Sequence, residues 1–421
     1  MLKSIFKKLI PLKFRDWART SLQEYIGYGE LQANVTDLNS KFFNLQNKIM
    51  ETHGNNDKEA KLKVNSIFYI TEPWWKRNFW EPAVQLGLKD LIKSGSTVFD
   101  IGANLAGISI LMSRLVGPKG TVCAFEASPR IIELTNGNII ASGLNNISLF
   151  NNAVYSESGK KISIYAGGHL NDSIYAQGEF KEQIKDVVNT LSIDDFVKNT
   201  NLFPDLIKMD IEGAEFDALT GMTKQTLIHK PFLILETDPR DLRCLELLKS
   251  FDYIAFDLSN YKQIGSFEDF PKNSHIRNLL YIHTSRLKET PFKKTPQFEN
   301  IIEFDDQTME FVNNSWYSKW ISFEPGRYIL FTQMEGNEKD EVQLGIEDEY
   351  GDISKYHAER GFLANHYPDL PFHVEEAKKC RIFLRILKNH SFNCLAPKYW
   401  QISKVKTFEA TLLNNFNHKI A

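Results

Sequence analysis

A chain of 421 residues with 42% hydrophobic content has length for about two to three domains, each with its own core, which excludes a disordered or disulfide-stapled protein. Fifty Lys and Arg against 53 Asp and Glu give a formal charge of −3, too balanced for a surface built around nucleic acid, so no nucleic-acid partner is expected. Cys123, Cys244, Cys380 and Cys394 are dispersed and no run nears the roughly 18 apolar residues of a membrane span; with no secretory signal at the start, the expected location is cytoplasmic.

Leu2, Ile5, Phe6, Leu9 and Ile10 fall at helical spacing among Lys3, Lys7 and Lys8, and Lys13, Arg15 and Arg19 extend the basic character. Residues 1–19 therefore suit either peripheral contact with an anionic membrane surface or a helix docked on its own protein. Leu31, Val35, Leu38, Phe42, Leu45 and Ile49 alternate steps of four and three, a short heptad seam that offers homo-oligomerisation through residues 31–49 or packing inside one chain. The first unit, helical and partly coiled coil, spans 1–56.

From 66 to 288 short apolar runs alternate with helical stretches, which argues for a largely parallel α/β sheet. Four of the runs, 97–100, 121–126, 205–210 and 231–236, end in Asp100, Glu126, Asp210 and Glu236. The carboxyl ends of parallel strands form the ligand crevice, so these acids are expected to converge on one face. From 292 to 421 alternating runs with turn residues between them predict an antiparallel β-sandwich accessory domain. In it Trp316, Tyr317 and Trp320 are expected chiefly as core, with stacking on a sugar ring as the second reading.

The segment 98–107 carries an apolar strand into a glycine-containing turn and then a helix. Gly102 lets backbone approach a ligand closely, and the helix start offers free N–H groups. The spacing is not GxGxxG, and Asp100 repels a pyrophosphate while attracting a cation, which favours S-adenosylmethionine over NAD. Glu126, about 25 residues further on, is placed to accept from ribose hydroxyls. Asn152 follows the next strand and either reads an adenine edge or serves a turn.

Phe99–Asn104, Ala124–Pro129 and above all Asp205–Glu215, in this order, resemble the FkbM family of S-adenosylmethionine-dependent methyltransferases; Trp80–Pro82, Leu191–Phe196, Leu219–Gly221 and Phe232–Glu236 fit it too. The resemblance covers roughly 75–285. It implies the seven-stranded, Rossmann-like sheet of class I methyltransferases and O-methylation, commonly of a sugar hydroxyl on a glycan or lipid-linked saccharide. It also places Glu81, Asp100, Gly102, Asn104 and Glu126 at the cofactor. The family usually has glycine where this chain has Ala106, a methyl expected to reshape the turn or weaken cofactor binding.

Transfer from an activated sulfonium needs an aligned oxygen and a base for its proton. Asp210 is the first candidate and Glu212 the second, with His169 in the glycine-rich segment 166–173 a rival. Grouped acids with Glu236 also suit a divalent metal, a reading ranked below helix capping by Glu215, so no metal ligand is assigned. The alternatives are a methyltransferase for a small-molecule acceptor and a non-catalytic scaffold that keeps the fold.

Overall fold

The computed structural model describes residues 81–406 apart from 166–171, 176–183, 271–276, 293–296, 336–340, 349–357, 363–368, 375 and 389–395. All of these belong to one compact unit, Tyr69–Ala421. The amphipathic segment, the heptad seam and His169 lie outside the described residues.

The α/β part runs α1 (Pro82–Leu91), β1 (Thr97–Ile101), α2 (Gly107–Val116), β2 (Thr121–Phe125), α3 (Pro129–Ser142), β3 (Ile147–Phe150), β4 (Ala153–Val154), β5 (Lys161–Tyr165), β6 (Ile184–Leu191), α4 (Ile193–Thr200), β7 (Leu206–Met209), α5 (Glu215–Thr220), β8 (Phe232–Thr237), α6 (Arg243–Ser250), β9 (Tyr253–Asp257), β10 (Gln263–Ile264) and β11 (Arg277–His283). The main sheet has the order β3-β2-β1-β7-β8-β11-β9-β10. Its pairs from β3 to β8 are parallel, and β11 is antiparallel to both β8 and β9. The first seven of these strands match the class I expectation; the eighth, β10, is a two-residue addition at the edge. Strand order reverses between β1 and β7, the position at which an open α/β sheet forms its ligand crevice outside the strand ends.

Alternation along the strands explains both layers. Phe99, Ile101, Ile207, Met209, Leu233 and Leu235 pack with Phe196 and Val197 of α4 and Ala218 and Leu219 of α5 on one face. Val98, Leu206, Phe232, Ile234 and Leu280 meet Val84 and Leu88 of α1 and Ile108 and Leu111 of α2 on the other. Asp100 and Lys208 continue this second face and are register partners, so the apolar layer turns charged just where the strands end.

The C-terminal part consists of β12 (Phe298–Phe304), β13 (Glu310–Val312), β14 (Ser315–Tyr317), β15 (Ile321–Phe323), β16 (Gly326–Glu335), β17 (Glu341–Asp348), β18 (Ala358–Phe362), β19 (Asp369–Val374), β20 (Lys378–Lys388) and β21 (Ala396–Val405). One sheet orders β12-β21-β16-β19 and the other β13-β14-β20-β17-β18, with β15 also on β20. Leu330, Phe372, Trp400 and Ile402 of the first share a core with Val342, Leu344, Ile382 and Leu384 of the second, the packing of an antiparallel sandwich. The core tryptophan is Trp400, fully buried, whereas Trp320 is 45% exposed and Trp316 only flanks the core. The Arg381 guanidinium lies 4.0 Å from the Tyr317 ring centroid and 4.9 Å from that of Trp320, which corrects the expectation that these aromatics fill the interior.

The two parts are joined by buried charge as well as apolar contact. Ile329 and Val405 of the sandwich pack in the cluster that holds Leu88, Leu258 and Phe292. Arg327 of β16 donates to Asp90 of α1 at 2.7 and 3.0 Å and to the Tyr261 hydroxyl at 2.9 Å. Arg277 pairs with Asp257 and reaches Asp369 of β19 at 3.4 Å, and Asn260 donates to the same Asp369 at 2.7 Å. Removing one member of such a buried pair leaves the other charge desolvated. Asp90→Ala is therefore expected to lower unfolding free energy by about 3–5 kcal/mol, read from the urea midpoint; an unchanged midpoint would remove Arg327 as a joint between the two parts.

Candidate active site

Gly102 follows β1 at φ +85°, a left-handed conformation that favours glycine. A methyl built there would sit 1.8 Å from the Asp210 carbonyl oxygen, so the close approach of the turns after β1 and β7 by itself requires the glycine. Asn104 and Ala106 are also left-handed, at φ 47° and 64°. The Ala106 methyl is fully buried and packs with Ile110 of α2 and Ile139 of α3. That methyl turns into the helix packing.

Glu126, just past β2, ties two of the loops together. Its Oε2 accepts the Asn104 N–H and its Oε1 the Ser128 N–H, both at 2.8 Å. Burial pushes its carboxyl up to about 7 against the opposing pull of those two N–H groups. Beside it, Asp172 accepts from Ser128 Oγ and Arg130 Nε, each at 2.7 Å. Asn152 turns toward β6, where its amide donates to the Asn189 carbonyl at 3.4 Å, and is not brought to this loop. Its neighbour Asn151 is: it donates to the carbonyls of Glu126 and Ala127 at 2.9 and 3.0 Å. With a side-chain period of two, a shift of one position exchanges the side that each residue faces.

The remaining acids gather around Lys208. This lysine is 3% exposed, and its Nζ lies 3.0 Å from Asp210 Oδ2. Burial opposes its charge, but Asp210, Glu81 and Asp100 outweigh that and hold the ammonium more firmly protonated than an ordinary lysine. Asp100 accepts from Ser109 Oγ through Oδ2, while its fully buried Oδ1 has no hydrogen-bond partner among the described residues. Glu81, before α1, accepts from Asn278 Nδ2 at 3.1 Å, and Asn278 stands opposite Glu236 in the β11–β8 register. Asp210, Glu215 and Glu236 each place an oxygen within 4.8 Å of the others. Glu215 accepts the Ile211 N–H at 2.8 Å and starts α5, the capping role expected of it. Glu212 sits at φ 55°, and burial, followed by the charges of Asp210 and Glu215, pushes it up to about 7.

The crevice thus brings Glu81, Asp100, Glu126, Asp210 and Glu212 to the ends of neighbouring strands. Lys208 and Asn278 carry no role in the sequence reading. The one local sign of the lysine is a charge inside the apolar run 206–209, which only a buried counter-ion accommodates. A crevice so acidic suits a ligand with positive charge, and the unpartnered Asp100 Oδ1 beside the α2 start is a ready acceptor for an ammonium group. The residues present therefore fit a cationic nucleoside cofactor. A divalent ion there would have to compete with the ammonium already on Asp210.

Residues 100–282 match the family model described as Methyltransferase FkbM domain. Among solved structures, the chain is similar to a methyltransferase FkbM from Methylobacillus flagellatus KT, with 18% identity over 59% of this chain and 60% of that one at a TM-score of 0.32. A precorrin-6y C5,15-methyltransferase from Geobacter metallireducens GS-15 gives 16% identity over 48% and 87% at 0.28. The fibrillarin of Aeropyrum pernix in complex with natively bound S-adenosyl-L-methionine gives 11% over 49% and 76% at 0.32. No curated protein matches the chain.

Two outcomes follow from this geometry. Gly102→Ala is expected to lose more than about 1 kcal/mol of stability, seen as a lower melting temperature, because the turns after β1 and β7 must separate; a wild-type melting curve would contradict the close approach. Glu126 and Glu212 hold protons up to about 7 in the folded chain, whereas an unfolded glutamate releases its own near about 4.3. Between those values the native state binds more protons, so stability falls as pH rises through that window. The urea midpoint should be lower at about pH 8 than at about pH 5.5, with a smaller difference in Glu212→Gln; an equal difference in that variant would clear Glu212 of the effect.

Proposed function

We propose that this chain, whose residues 100–282 match the FkbM methyltransferase domain, is a methyltransferase that uses S-adenosylmethionine and that its acceptor is a sugar hydroxyl of a glycan or lipid-linked saccharide. The observation that carries this reading is the set of carboxylates, Asp210, Glu215 and Glu236, gathered at the ends of β7 and β8. A sugar hydroxyl is a poor nucleophile while it keeps its proton, and a positioned carboxylate removes that proton as the oxygen attacks. A neutral amine needs less such help.

Bound, S-adenosylmethionine supplies an electrophilic methyl group on a sulfonium. Asp100 Oδ1 and Glu81 receive the cationic methionine end, with Asn104 beside them. Glu126 keeps its loop-tying N–H contacts and uses its remaining lone pairs for the ribose hydroxyls. The acids at the ends of β7 and β8 orient the acceptor oxygen and take its proton, so the work left to the protein is alignment and proton transfer. With a lipid-linked acceptor, residues 1–19 would keep this cytoplasmic enzyme at the membrane surface where that acceptor lies, and residues 31–49 would pair it with a second copy.

The test begins with calorimetric titration of S-adenosylmethionine, where Glu126→Ala should weaken affinity at least tenfold, about 1.4 kcal/mol. Mass spectrometry of a saccharide panel incubated with enzyme and cofactor should then show methylated sugar. Cofactor binding with methylation confined to non-sugar compounds would sink the sugar reading and leave the methyltransferase intact.

A further inference from the structure

Four carboxylates stand near the ends of β7 and β8, and their surroundings differ. Asp210 is held by Lys208, whose Nζ lies 3.0 Å from its Oδ2, so that oxygen is already engaged. Glu215 is bonded to the Ile211 N–H at the start of α5. Glu212 lies beyond the strand in a left-handed turn whose carbonyl accepts from Ser173 Oγ at 2.9 Å. Glu236 alternates with Phe232 and Ile234 along β8, so it faces the same side as Asp100 and Lys208. It is partly exposed, places an oxygen within 4.8 Å of Asp210 and Glu215, and has no hydrogen-bond donor among the described residues.

We infer that Glu236 takes the proton of the acceptor hydroxyl, and that the positive charge of the methyl donor readies it for that role. The groups that face it are Glu81 before α1, Asp100 of β1, Lys208 and Asp210 of β7, Glu212 and Glu215 around the start of α5, and Asn278 of β11. Burial, then the charges of Asp210, Glu81, Glu212 and Glu215, raise its carboxyl well above the usual range, which favours its acid form before the cofactor arrives. A cation entering this pocket favours the ionised form. In the transfer, which rests on the proposed hydroxyl acceptor, the O–H bond breaks with its proton passing to Glu236, and the O–C bond forms as the S–C bond breaks with its electron pair left on sulfur. Carboxylate and sulfonium become acid and thioether, so the charge of the site is unchanged. Departure of the neutral product leaves Glu236 protonated, as it began.

Calorimetry in buffers of different ionisation enthalpy counts the proton without any acceptor. Near neutral pH, S-adenosylmethionine should release close to one proton from the wild type, and the uncharged thioether S-adenosylhomocysteine far less. Glu236→Gln should remove most of that release, leaving only what Glu126 and Glu212 supply, and by linkage raise the dissociation constant about tenfold, whereas Asp210→Asn should retain the release. On any hydroxyl acceptor that the panel yields, Glu236→Gln should lower kcat by about 100-fold or more at saturating cofactor. Glu236→Asp, which keeps the carboxyl, should release the proton at a shifted pH and decides the matter if the glutamine variant does not fold. No proton released by the wild type, or the same release from the glutamine variant, overturns the assignment. Release through Glu236 without methylated sugar would uphold it and reject the saccharide reading alone.

Discussion

One buried ammonium makes the strand ends possible. Lys208 stands at the reversal of strand order with Asp210 bonded to it and Glu81 and Asp100 close by. At 3.0 Å and an effective dielectric of about 20, opposite unit charges attract by roughly 5 kcal/mol, while desolvation costs several kcal/mol for each ion. The pair roughly breaks even as a contribution to stability. Its effect is to let acids gather at a place that would otherwise repel them, and to leave the crevice with more negative charge than one lysine neutralises. A cofactor that brings its own cation completes that balance.

What the sequence displayed and what it hid follow from the range of each signal. Apolar runs that end in Asp100, Glu126, Asp210 and Glu236 are local features, and so is their alternation with helical stretches, whereas the order of the strands in the sheet is not. The reason for Gly102 was hidden, because the carbonyl that excludes a side chain there belongs to Asp210, more than a hundred positions away. Asn151 and Asn152 differ by one step, and only the departure angle of the chain after β3 decides which of them meets the Glu126 turn. Asn278 opposite Glu236 is a fact of antiparallel register, which no local pattern encodes.

The sandwich shows the same limit in its aromatic residues. Composition gave a β domain, and its core formed, but around Trp400 instead of the Trp316–Trp320 group. Proximity of aromatics along the chain says little about burial when strands are three residues long, as β14 and β15 are. Arg381 reaches over Tyr317 and Trp320 because Glu347 on the neighbouring strand holds its guanidinium at 2.7–2.8 Å.

The charges at the junction bear on how this molecule can change over evolutionary time. Asp90, Asp257 and Arg277 belong to the α/β part, yet Arg327 and Asp369, which complete their pairing, belong to the sandwich. Exchange of the sandwich for an unrelated module would strand Asp90 in an apolar surface and leave the Arg277–Asp257 pair one acid short. The two parts are therefore coupled through these pairs, and loss of the sandwich would uncover Asp90 and the Arg277–Asp257 pair to water.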